Sequence, residues 1–231
     1  MNRRIIAIGD LHGKDCWKRI NPDQYDKIIF IGDYVDSMYI VPEKTLENLI
    51  DIIDFKRRNE SKVTLLLGNH DIQYSEYPKY ACSGFNELFQ PDCSKVFGDN
   101  RQFFQIAEQI GNYLFTHAGL SHSFVRHNLK DYYKAILQKE VNVADLLNTI
   151  HHSDKQEVLH TISEFRGGAD PFGGITWADY DETSIDLLPG YHQVVGHTRL
   201  KKITEVKGED FSITYIDVLN TIEEFFKTTV G

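Results

Sequence analysis

The first third of the chain repeats one pattern: a short, unbroken apolar run that stops at glycine and a cluster of polar residues. Arg4-Ile5-Ile6-Ala7-Ile8 leads into Gly9-Asp10-Leu11-His12-Gly13. Lys27-Ile28-Ile29-Phe30-Ile31 leads into Gly32-Asp33-Tyr34-Val35-Asp36, and Lys62-Val63-Thr64-Leu65-Leu66-Leu67 into Gly68-Asn69-His70-Asp71. Continuous apolar runs of this length predict strands covered on both faces. Between the second and third runs, Leu46, Leu49, Ile50 and Ile53 recur at helical spacing, which predicts an amphipathic helix over residues 42–59. Strand, helix, strand predicts a parallel pairing through a right-handed crossover. In open α/β sheets ligands gather beyond the carboxyl ends of the strands, and the polar clusters fall at those ends.

Two later runs end in the same way. Tyr113-Leu114-Phe115-Thr116 meets His117-Ala118-Gly119, and Gln193-Val194-Val195 meets Gly196-His197-Thr198. Beyond them, Ile203, Val206, residues 211–217 and Phe225-Phe226 alternate in a way that predicts antiparallel strands finishing a second sheet. Residues 72–102, with Pro78, Pro91 and many polar positions, predict a long irregular excursion. Residues 121–165 carry Leu146, Leu147, Ile150, Val158, Leu159 and Ile162 at helical offsets, which predicts an inserted helical segment acting as a lid or side wall. The pattern as a whole is α/β, and 231 residues suit a single domain, 1–231, carrying that insertion.

Composition narrows the classes of function. The net charge of −9 argues against nonspecific nucleic-acid binding, which needs clustered Lys and Arg. It leaves an anionic substrate open, because bound divalent ions can outweigh the overall field. Cys16, Cys82 and Cys93 form no CxxC pair and read as reduced thiols. The apolar stretch after Arg3-Arg4 is too short for a signal peptide, and no run approaches the length of a membrane helix. The expectation is a cytoplasmic chain without a membrane partner.

Any one of these strand ends is ordinary. Gly-Asp after a strand is commonly a turn, and a lone histidine there is commonly a structural hydrogen-bonding residue. Five such ends in one chain, with Asp10, His12, Asp33, Asn69, His117 and His197 beside glycines, form a ligand set instead. Imidazole, carboxylate and amide oxygen suit manganese, iron or zinc. Such a set can hold two cations across a shared carboxylate.

Taken in order, the five motifs resemble those of the calcineurin-like metallophosphoesterases, above all the serine/threonine phosphoprotein phosphatase branch with its bacterial and phage members. The resemblance spans residues 9–198. It implies a four-layer α-β-β-α sandwich with two mixed β-sheets, and two divalent metal ions, manganese foremost with iron or zinc as alternatives. It implies that Asp10 and His12 bind the first metal, that Asp33 bridges both, and that Asn69, His117 and His197 bind the second. His70 would protonate the leaving oxygen, with Asp36 hydrogen-bonded to it and raising its pKa. Asn69 would also lie at the substrate. The reaction implied is in-line attack on phosphorus by a metal-bound hydroxide, without a phosphoenzyme.

The chain departs from the branch at Ser37-Met38, where the family continues with Arg-Gly, and a serine offers no bidentate charged clamp. Arg166 and Arg199 are the candidate substitutes for gripping phosphate. Asp71 replaces a glutamate common after Gly-Asn-His and reads as a tolerated change. The remaining histidines read as structural, with His151-His152 on a solvated face. Tyr74, Tyr77, Tyr80 and Phe85 read as a packed loop, or alternatively a stacking wall for a substrate. The expected activity is hydrolysis of a phosphomonoester, on a phosphoprotein or a small phosphorylated molecule. A nucleotide hydrolase acting on diadenosine polyphosphates or cyclic nucleotides is the alternative enzyme. A non-catalytic binding scaffold is the alternative outside enzymes, and it would be expected to have lost ligands that this chain keeps.

Overall fold

The computed structural model describes residues 2–231. Two compact units divide the chain: one runs to Gln105 and includes Phe225–Gly231, the other is Ile106–Glu224.

In the first unit β1 (Arg3–Ile8), β2 (Lys27–Phe30), α1 (Pro42–Arg58) and β3 (Val63–Leu66) follow the predicted order. β1, β2 and β3 pair in parallel with Ile8 opposite Phe30 and Phe30 opposite Leu65, so the turns that follow them emerge side by side. α1 opens with Pro42 in its first turn, where a missing N–H costs nothing, and closes on Lys56, Arg57 and Arg58, which complement the helix dipole. Its buried face is Thr45, Asn48, Leu49, Ile52, Ile53 and Phe55, whereas Ile50 points outward. Asn48 is tolerated on the buried face because its amide accepts from Trp17 Nε1 and donates to the Lys14 carbonyl.

Residues 72–102 are more ordered than the sequence suggests. α2 (Asn69–Ser75) begins inside the third motif, and α3 (Gln90–Asp99) packs Cys93 and Phe97 inward before the short β4 (Phe104–Gln105). Pro91 misleads as a breaker because it sits in the first turn of α3, a tolerated position. The irregular part shrinks to residues 76–89.

The second unit holds β5 (Ala107–Ile110), β6 (Tyr113–Thr116), α4 (His122–Asn128), α5 (Tyr133–Leu137), α6 (Val143–His151), α7 (Tyr180–Thr183), β7 (His192–Val195), β8 (Thr204–Lys207) and β9 (Ser212–Tyr215). Its sheet runs β5-β6-β7-β9-β8, parallel through β6, β7 and β9 and antiparallel at both edges. Residues 121–165 are helical as expected. α6 is fastened to the β5 edge, since Asn148 accepts from Ile106 N and donates to the Ala107 carbonyl. His151 is buried on the inner face of α6, not solvated, while His152 is exposed.

The last strand, β10 (Phe226–Val230), corrects the C-terminal reading. It leaves the second sheet and pairs antiparallel with β1, Arg3 opposite Val230, giving the first sheet the order β10-β1-β2-β3-β4. Both sheets are therefore mixed. The alternation in residues 225–230 marks an edge strand but carries no information on which sheet it joins.

Gly32 shows how tightly the first-unit turns are set. Its φ is 104°, and a Cβ there would lie 2.4 Å from the backbone nitrogen of Gly68. Gly32→Ala should therefore cost more than about 3 kcal/mol from strain and displaced backbone together. A urea denaturation midpoint close to wild type would show that the two turns can part without loss.

Candidate metal centre

Four of the five non-glycine residues with left-handed backbone among the described residues are His12, Asp33, Asp36 and His197, all singled out by their chemistry. Each such conformation costs about 1–3 kcal/mol and persists only where its surroundings impose it. In the first unit the surroundings are backbone. Leu11 N and His12 N both donate to the Asp33 carbonyl, at 3.1 and 2.8 Å, and Gly13 N donates to the Tyr34 carbonyl. The turn after β1 is thereby laced to the turn after β2.

Asp71 laces the turn after β2 to the turn after β3. Its carboxylate is wholly buried and accepts from Asp33 N at 2.7 Å, Tyr34 N at 2.9 Å and Gly68 N at 2.9 Å. Burial, then the neighbouring Asp33 charge, push its pKa up, and the three N–H groups oppose them. Both oxygens act only as acceptors, which is the bonding of the anion. Asp71 is thus a structural keystone that motif reading passed over as a tolerated change. The signal available was its place three residues after Gly68, where a carboxylate can cap the start of α2.

Within this frame Asp10, His12, Asp33 and Asn69 are all buried at strand ends. His12 Nδ1 lies 2.8 Å from the Val35 carbonyl and must donate to it, which makes Nε2 the candidate ligand atom. Nε2 stands 3.6 Å from Asp33 Oδ2. Ligand atoms of His12, Asp33 and His70 fall within 4.8 Å of one another. A buried carboxylate beside an imidazole of fixed tautomer is what a divalent cation requires, so these residues fit a metal.

His70 is turned to a second partner. Its backbone N donates to Asp33 Oδ1 at 3.0 Å, and its ring Nδ1 is 3.0 Å from Asp36 Oδ2. The sulfur of Cys82 lies 3.7 Å from the same nitrogen. Burial alone lowers the His70 pKa, but the Asp33 charge, the Asp36 hydrogen bond and Cys82 outweigh it and raise it to about 12. Cys82 itself stays a thiol, its pKa raised by burial against the pull of His70.

In the second unit the carbonyl of His117, after β6, accepts from Gly196 N at 2.7 Å, so its turn and the His197 turn after β7 are tied together. Nε2 of His117 lies 3.2 Å from Nδ1 of His197, and Trp177 sets its ring edge against His197. Arg166 is fixed beside this turn. Its Nε pairs with Asp179 Oδ2 at 2.5 Å and an NH2 group donates to Thr198 Oγ1 at 2.7 Å. Arg199, in contrast, is exposed.

The other histidines are local. His122 bonds the Tyr133 hydroxyl, His160 the Thr176 hydroxyl and His192 the Ser212 hydroxyl, and His127 stacks on Phe172. The aromatic residues after the third motif pack on each other, with Phe85 between Tyr74 and Tyr77.

Comparison with known proteins agrees with this geometry. The calcineurin-like phosphoesterase family matches residues 3–199. The chain belongs to that family, whose members are metal-dependent hydrolases of phosphoester bonds with a dinuclear divalent metal centre. It is 25% identical over 184 residues to a Schizosaccharomyces pombe protein named as a serine/threonine-protein phosphatase, covering 77% of this chain and 50% of that one. It is 24% identical over 204 residues to the serine/threonine-protein phosphatase 4 catalytic subunit of Saccharomyces cerevisiae, covering 83% and 63%. The chain thus spans between half and just under two thirds of these relatives' length. Among solved structures, the cold-active protein-tyrosine phosphatase of a psychrophilic Shewanella shares the fold with a TM-score of 0.55 at 17% identity, over 94% of this chain and 71% of that one. No helix among the described residues is long and apolar enough to cross a membrane.

Two outcomes test the frame. Asp71→Asn should cost about 2–3 kcal/mol in metal-stripped protein, because an amide cannot accept from three N–H groups with both ends. Chemical denaturation reads this, and an unchanged midpoint would mean that those groups find other acceptors. The second test is pH. The stripped folded state keeps a proton on His70 that the unfolded chain releases near 6.5. That contribution is complete below pH 6.5 and declines above it, by up to about 1.4 kcal/mol per pH unit. Urea titrations between about pH 6 and 9 should show the decline, and His70→Gln should make it shallower; a slope indifferent to the substitution would mean a neutral folded ring.

Proposed function

We propose that this chain is a phosphomonoesterase acting on a phosphoprotein or a small phosphorylated molecule, with manganese as its metal and iron or zinc as alternatives. The observation that carries the reading is His12, held in one tautomer by the Val35 carbonyl and presenting Nε2 beside the buried Asp33 carboxylate. In this reading Asp10, His12, Asp33 and Asn69 hold the cations from the first unit. His117 and His197 are assigned to the same centre on the strength of the family resemblance. When bound, the cations supply Lewis-acid polarisation of the phosphoryl oxygens and a strong nucleophile at neutral pH.

The chain's own residues supply the rest. His70, its Nδ1 on Asp36, carries a proton for the leaving oxygen and steadies charge developing there. Asn69 lies at the start of α2, and its amide is assigned to the substrate as well as to the metal. Arg166, aimed by Asp179 and Thr198, is assigned the grip on phosphate that Ser37 cannot give. The helical segment 121–165 is assigned as a side wall, in keeping with the anchoring of α6 at β5. The mutual stacking of Tyr74, Phe85 and Tyr77 favours a monoester over a nucleotide that would need those rings. The three free thiols support a cytoplasmic setting.

With manganese present, the protein should hydrolyse p-nitrophenyl phosphate and phosphopeptides in preference to the bis-ester, diadenosine tetraphosphate or cyclic nucleotides. Asp33→Asn and His117→Ala should abolish turnover while the chain stays folded by circular dichroism. His70→Ala should keep its metal by elemental analysis yet lose about 10²–10⁴-fold in kcat. Wild-type rates from the His70 variant across that panel would remove its role as the acid.

A further inference from the structure

Asp36 holds the ring of His70, and the residues that hold Asp36 lie on the first turns of α2. Tyr74 donates its hydroxyl proton to Asp36 Oδ1 at 2.6 Å, and Gln73 Nε2 donates to Asp36 Oδ2. Both side chains are almost fully buried. Each is fixed in turn by backbone from the excursion between α2 and α3. Cys82 N donates to Gln73 Oε1 at 3.0 Å, and Asn86 N donates to the Tyr74 hydroxyl at 3.0 Å. These bonds leave neither clamp a choice. The Gln73 amide has its oxygen committed to Cys82 N–H, so its NH₂ must face the carboxylate. The Tyr74 oxygen accepts from Asn86, so its one proton must go to Asp36. Gly84 closes the same stretch over the pair: a Cβ there would stand 3.5 Å from Asp36 Cβ and 3.6 Å from His70 Cε1. Asp36 itself has φ of 61°, a conformation that needs such support.

We propose that Gln73 and Tyr74 are positioning residues, which clamp both oxygens of Asp36 so that it orients His70, and that residues 82–86 set the clamp. The inference rests on the assignment of His70 as the acid. A positioning role differs from a merely structural one in what it predicts for the leaving group. A poor leaving group needs the proton from His70 and a good one does not. Tyr74→Phe and Gln73→Met should each lower kcat on phenyl phosphate about tenfold and on p-nitrophenyl phosphate less than about threefold, with KM unchanged. In an Asp36→Asn background Tyr74→Phe should add no further loss, since its effect passes through Asp36.

One readout needs no turnover. The proton NMR spectrum of the wild-type protein should show a slowly exchanging, low-field His70 Nδ1–H resonance that Tyr74→Phe and Gln73→Met shift or abolish. Equal losses on both substrates, additivity with Asp36→Asn, or an unmoved resonance would overturn the clamp. A wild-type protein inactive on both esters whose resonance still responds to the two substitutions would sink the phosphatase reading and leave the clamp standing. Should Gln73→Met fail to fold, Tyr74→Phe, which loses one oxygen atom, decides the matter alone.

Discussion

The first unit is organised by one buried carboxylate, Asp71, whose oxygens collect backbone N–H groups from Gly68, Asp33 and Tyr34. Three parallel strands deliver three turns to one edge of a sheet, but strand pairing alone does not set turn conformation to fractions of an ångström. Hydrogen bonds to a charged acceptor are worth about 1.5–3 kcal/mol each, and here they converge on the residues that flank the candidate ligands. That is sufficient to hold Asp33 in left-handed backbone. Gly32, with Gly68 against it, then becomes obligatory, because the turns so drawn together leave no room for a side chain.

Orientation passes outward from this frame by the same device, a backbone group that fixes which atom of a side chain faces inward. The Val35 carbonyl takes the Nδ1 proton of His12 and so makes Nε2 the lone-pair nitrogen of the ring. Cys82 and Asn86 N–H groups orient Gln73 and Tyr74, and those orient Asp36 against His70. In the second unit side chains do the same work, Asp179 Oδ2 and Thr198 Oγ1 fixing Arg166. Side chains whose rotamers are decided in advance lose little further entropy when a ligand arrives.

The legible part of the chain was the part where chemistry and strand pattern coincide. An apolar run that stops at Gly-Asp or Gly-Asn declares a buried parallel strand with a polar turn at its carboxyl end, so the sequence places Asp10, His12, Asp33 and Asn69 at strand ends, where the structure buries them. What stayed hidden was set by tertiary pairing. The destination of β10 depends on an antiparallel register with β1 that local alternation does not encode. α3 was masked by Pro91, a residue that punctuates a helix interior but suits a first turn. The burial of Asn48 on α1, with Ile50 left exposed, goes with two hydrogen bonds that no hydrophobic count can anticipate. The roles of Asp71, Gln73 and Tyr74 were hidden for another reason: they lie in what these residues bond, and the residue types are ordinary.

The same arrangement gathers buried carboxylates whose charge a cation would help to compensate. Asp10, Asp33 and Asp71 are buried within one unit of a chain that already carries net negative charge. Backbone donors compensate Asp71, and Gln73, Tyr74 and His70 share Asp36. Asp33 accepts the backbone N–H of His70 on Oδ1 and lies close enough to Asp71 that each raises the cost of the other's charge. A raised His70 pKa is one response to that field, since a retained proton is the nearest positive charge the chain can supply. Divalent cations supply more. Held by Asp10, His12, Asp33 and Asn69, they would take up the field of Asp33 and, in the proposed reading, leave the His70 proton easier to give away. On that reading the Asp33 carboxylate would couple the stability of the fold to the protonation of His70.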